Sequence, residues 1–90
     1  MKKVFFPSNL TLEKAVVEAV KNLGGEAKVP AINREVIRIL DLPEEIVKLE
    51  DESGLCTKLD YRLRWCRTNL KAQHKLRNVK KGTWASINVE

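Results

Sequence analysis

Ninety residues, 43% of them hydrophobic, suffice for one modest core and are too few for two, leaving little room for an enclosed catalytic pocket. The net charge of +5 is unevenly placed: residues 1–56 carry eight Lys or Arg against ten Asp or Glu, and residues 57–90 carry nine against two, so the halves are −2 and +7. A one-sided positive field attracts a polyanion, with a phosphodiester backbone as first candidate and an anionic membrane surface as second.

No run approaches the roughly 20 apolar residues that a bilayer span needs. Met1, Lys2, Lys3, Val4, Phe5 and Phe6 begin like a leader, but Pro7 and Ser8 end the apolar run at once. The start therefore reads as mature protein, and the chain as a soluble, cytoplasmic one with no membrane partner. A single domain over residues 4–90 is expected.

The first predicted helix is capped by Thr11 or Asn9 and keeps Leu12, Ala15, Val16, Ala19, Val20 and Leu23 at helical spacing. Gly24 and Gly25 stop it, since glycine takes the left-handed exit without a Cβ clash. Its outer residues Glu13, Lys14, Glu18 and Lys21 alternate in sign, which describes a solvated face. Residues 26–29 read as a short strand, and Pro30 then opens a helix over residues 30–40. That helix turns Ile32, Val36, Ile39 and Leu40 inward and Asn33, Arg34 and Arg38 outward. Asp41, with Pro43 and Glu44 after it, caps a short helix to about Leu49, and an acidic loop follows over residues 50–54.

Thr57, with Asp60 three residues later, opens the long helix expected over residues 57–74. Leu59, Leu63, Cys66 and Leu70 recur at steps of four, three and four, one stripe facing a core. Setting that stripe inward leaves Arg64, Thr68 and Lys71 on the outer face, Tyr61 and Trp65 along one edge, and Arg67 along the other. Two β-prone runs, Leu76, Arg77, Asn78, Val79 and then Thr83, Trp84, Ala85, Ser86, Ile87, flank Lys80, Lys81 and Gly82 as a hairpin. Trp65 and Trp84 are expected to bury most of their rings, with Trp84 closing the hairpin onto the helix.

A helix with an apolar back and a cationic front, next to a basic hairpin, suits double-stranded DNA. Arginine forks match phosphate oxygens and the acceptor edge of guanine, and lysine acts as a point charge on the backbone. The candidate DNA-binding residues are Tyr61, Arg62, Arg64, Arg67, Thr68, Lys71, Lys80 and Lys81. Arg62 stands between two roles, a phosphate contact and an ion pair with the acidic first half. Cys56, Cys66 and His74 match no paired-ligand zinc spacing, and no carboxylate cluster suggests a nuclease centre, so neither metal nor cofactor is expected and the chain is read as no enzyme. Cys66 on the core stripe reads as a small buried thiol.

The residues Arg62, Trp65, Cys66, Arg67, Thr68, Leu70 and Lys71, followed by Gly82 and Trp84, resemble the signature of the N-terminal winged-helix domain of Mrr-type restriction endonucleases. Pro7, the Gly24–Gly25 exit and Leu42, Pro43, Glu44, Glu45 are similar too. Arg64 departs from the family's small residue, and His74 from the glycine that ends its helix. The resemblance implies DNA binding rather than cleavage for these 90 residues, since in the family the nuclease domain is a separate one that follows, and none is expected within them. The expected architecture is thus α+β and mostly helical: a winged helix-turn-helix of three main helices, one short helix and a small antiparallel sheet with a C-terminal hairpin wing. It would serve as the targeting module of a restriction or modification-dependent system, as a homodimer or with a separate nuclease partner. A protein-interaction module is the alternative.

Overall fold

The structure, a computed structural model, describes residues 6–51 and 53–87; the leader-like start before Phe6 lies outside them. The described residues run as α1 (Asn9–Asn22), β1 (Glu26–Lys28), α2 (Val29–Leu40), α3 (Glu44–Val47), α4 (Lys58–Ala72), β2 (Leu76–Lys80) and β3 (Thr83–Ser86). This α+β order of four helices and a three-stranded antiparallel sheet is compatible with a winged helix.

Amphipathic spacing places the core. Leu12, Ala15, Val16, Ala19 and Val20 of α1 meet Ile32 and Val36 of α2, Leu59, Leu63, Cys66 and Leu70 of α4, and Leu76 of β2. Leu12, Leu63 and Leu76 lose all contact with solvent, each worth roughly 1.5–3 kcal/mol of transfer free energy. The four-residue stripe of the long helix is inward as its spacing requires, and Cys66 is a free, buried thiol. Ile39 and Leu40 are only partly covered. Leu23, expected in the core, is 37% exposed because α1 ends before it.

The helix ends refine the expected boundaries. Ser8, not Asn9 or Thr11, caps α1, its hydroxyl oxygen accepting from the Thr11 amide at 3.2 Å. Thr57 caps α4 as expected, accepting from the Asp60 amide at 3.1 Å. Asp41 does not cap the short helix; it ends α2 in the left-handed region at φ 49, and Pro43 stands at the N-terminus of α3. α4 stops at Ala72, and His74 takes the left-handed exit at φ 60. The Lys75 amide then donates to the Leu70 carbonyl at 2.9 Å and the His74 amide to the Lys71 carbonyl at 3.1 Å, satisfying two carbonyls that the last turn leaves open.

The sheet has the order β1-β3-β2, so the last strand is central. Glu26, Ala27 and Lys28 pair with Ala85, Trp84 and Thr83 on one side. Arg77 pairs with Ala85, Asn78 with Trp84 and Lys80 with Thr83 on the other, and the register slips between Asn78 and Lys80. Trp84 is half-buried against the core, as the hairpin closure requires.

Candidate nucleic-acid interface

α4 is covered along its apolar stripe, and its opposite side carries Tyr61, Arg64, Trp65, Thr68 and Lys71, all exposed. Trp65 is 52% exposed, which corrects the expectation that it buries most of its ring. It projects away from the stripe that meets α1 and stands edge-on to Tyr61, ring centroids 6.4 Å apart at 77°. The Thr68 hydroxyl donates to the Arg64 carbonyl at 3.2 Å, so outward it offers its lone pairs and its methyl group.

Two arginines among the candidate DNA-binding residues make contacts within the fold. Arg67 is only 6% exposed; its Nη1 donates to Asn33 Oδ1 of α2 at 3.3 Å. Periodicity places it at the margin of the stripe, where Asn33 of α2 reaches it. Burial first, and the Arg64 charge second, push the Arg67 guanidinium below its ordinary pKa, while Asp60 opposes them. Arg62 makes no ion pair with the acidic first half among the described residues: its Nη1 donates to Asn9 Oδ1 at 2.9 Å, and its guanidinium lies 5.9 Å from the Phe6 ring centre. Lys58 covers the same ring at 4.9 Å.

The hairpin turns at Lys81 and Gly82, with Gly82 at φ 78, where a Cβ would be strained. Asn78 holds the turn: its amide nitrogen donates to the Lys80 and Thr83 carbonyls, each at 2.9 Å. The Gly82 carbonyl accepts from the Val29 amide at 2.9 Å, which ties the turn to the start of α2. One helical turn on, Asn33 bonds Arg67 and also donates to Asp60 Oδ1 at 3.4 Å. The first turns of α2 therefore bridge the hairpin tip and the flank of α4. Asn33 and Asn78 were not legible as interface residues, because an asparagine reveals its partners only once distant elements pack.

Arg64, Lys71, Lys80 and Lys81 are exposed, and none has an ion-pair partner among the described residues. No group of three or more His, Cys, Asp and Glu able to hold a metal occurs among the described residues. Burial first, then the Glu13 carboxylate, push the Cys66 thiol up to about 11, unsuited to nucleophilic work near neutrality. No helix of the described residues is long and apolar enough to cross a membrane.

These features define a small α+β domain with a cationic outer helix face and a basic hairpin. A family model described as the Mrr N-terminal domain matches residues 11–87, and the chain belongs to that family, as the residue pattern around Trp65 and Trp84 implied. No curated protein and no solved structure matches the chain.

Proposed function

We propose that the domain binds double-stranded DNA, as the targeting module of a restriction or modification-dependent system, and performs no cleavage itself. α4 enters the major groove with Thr68 toward base edges, Tyr61 and Trp65 offering apolar contact, and Arg64 and Lys71 on phosphate. Lys80 and Lys81 lie against the backbone. The observation that carries this reading is the set of four exposed, unpaired cations on two elements joined through the first turns of α2. Arg62 and Arg67 hold α4 in place rather than touch DNA. A nuclease domain or chain would supply the chemistry.

Four phosphate contacts predict a slope of about −3.6 for log affinity against log salt, a loss of roughly 150-fold between 50 and 200 mM. Fluorescence anisotropy of a labelled duplex over a salt series measures it. Absence of binding at the lowest salt, or a slope within about one unit of zero, refutes the proposal. Leu55, 90% exposed, and Leu49, 42% exposed, favour the second reading, a protein-interaction module. Such a module would leave duplex DNA unbound and hold a partner with little salt dependence.

A further inference from the structure

We propose that Lys28 is a further DNA-backbone contact, which β-sheet register places beside Lys80. The inference rests on the DNA-binding reading and extends it to a third element. In the central strand, Thr83 pairs with Lys28 of β1 on one side and with Lys80 of β2 on the other. Directly paired residues project to the same face, so the row Lys28, Thr83, Lys80 puts two ammonium-bearing residues on the face away from Trp84, with Cα atoms about 10 Å apart.

The register slip makes this possible. A regular β2 would alternate Leu76, Asn78 and Lys80 on the core-side face, because side chains have a period of two. The shift between Asn78 and Lys80 inserts Val79 as an extra residue and turns Lys80 to the outer face beside Thr83. Asn78, bonded to the Lys80 and Thr83 carbonyls, holds that slip in place.

Charge distribution singles out this row. The neighbouring row of the same face, Glu26, Ala85, Arg77, carries one charge of each sign. Lys28 and Lys80 share theirs with no carboxylate and have no ion-pair partner among the described residues. Like charges on one face oppose folding slightly, and a polyanion removes that cost. Lys28 also sits beside the tip, since the next residue, Val29, bonds to Gly82 at 2.9 Å. Lys28, Lys80 and Lys81 thus form one cationic cluster on the hairpin end of the sheet. Lys28 precedes α2 and makes no side-chain capping bond there, so its replacement should leave the helix start intact.

The test is the salt dependence of binding of a short labelled duplex by the full chain and by Lys28→Ala, Lys28→Arg, Lys80→Ala and Lys21→Ala. Lys21 is an equal charge on α1, which packs on the buried side of α4. Lys28→Ala should lower the slope by about 0.9, as Lys80→Ala does, shrinking the affinity ratio between 50 and 200 mM by roughly 3.5-fold. Lys28→Arg should restore the slope, and unchanged melting temperatures should show that folding is intact. A Lys28→Ala slope equal to that of Lys21→Ala overturns the assignment of Lys28 while leaving DNA binding standing. A flat salt response in the unmodified chain overturns the DNA reading and this inference with it.

Discussion

Arg64 and Arg67 stand three residues apart on one helix, yet the structure separates their consequences. Replacing Arg67 with alanine removes two buried methylenes, about 0.8 kcal/mol each, and the bond to Asn33, worth about 0.5 kcal/mol at its length of 3.3 Å. The sum is about 2 kcal/mol out of roughly 5–13 for a domain of 90 residues. The melting temperature should fall by roughly 8–16 °C, with the protein still folded at room temperature. Arg67→Met keeps the apolar stem and drops a charge that burial already disfavours, so it should stay within about 1 kcal/mol of the unmodified protein. Both variants should leave the salt slope of DNA binding unchanged. Arg64→Ala should do the reverse, with stability altered by no more than about 0.5 kcal/mol and the slope lowered by about 0.9. Differential scanning fluorimetry and anisotropy titrations on the same preparations read both quantities. If Arg67→Met lowers the slope as Arg64→Ala does, Arg67 reaches phosphate from solvent and the division of roles along α4 is wrong.

Other expectations follow from single features. Leu70→Ala opens a cavity in a small core and should cost roughly 2–5 kcal/mol in urea unfolding; an unaffected midpoint would mean that the buried stripe is misplaced. His74→Gly should raise stability by about 0.5–1 kcal/mol, because glycine relieves the left-handed strain at φ 60 but is freer in the unfolded chain; a lower melting temperature would show that the imidazole makes a compensating contact. A maleimide should label the partly exposed Cys56 in the native protein and reach the buried Cys66 only after denaturation, as mass spectrometry can count. Hydrogen bonds from Arg38 first and Asn22 second hold the Glu35 carboxyl well below 4.5, at about 2. A pKa depressed by folding contributes stability that is complete above the ordinary carboxylate range and lost as pH falls from about 4.5 toward 2. The difference in melting temperature between the unmodified chain and Glu35→Gln should therefore shrink over that acid range, and a constant difference would argue against the Arg38 contact.

Features that depend on neighbours a few residues away were legible in the order of the residues. Helical spacing located the apolar stripe Leu59, Leu63, Cys66, Leu70; the Thr57–Asp60 pair located the start of α4; Gly82 between β-prone runs located the hairpin. Each rests on local geometry that the chain carries in its order. The same logic failed where two local signals competed, as at Asp41, where an acidic cap pattern was overridden by a left-handed helix exit. Tertiary structure decided the fate of every residue at the margin of a stripe. Arg67 and Trp65 are both long, amphipathic side chains off the helix's apolar centre; the fold buries the first against Asn33 of α2 and leaves the second in solvent, a difference that periodicity cannot encode. Lys28 and Lys80 are far apart in the chain, and only strand pairing, with its one-residue slip, brings them onto one face. The positive charge of the second half was legible as a total, but which cations remain free for a partner depends on how the elements pack.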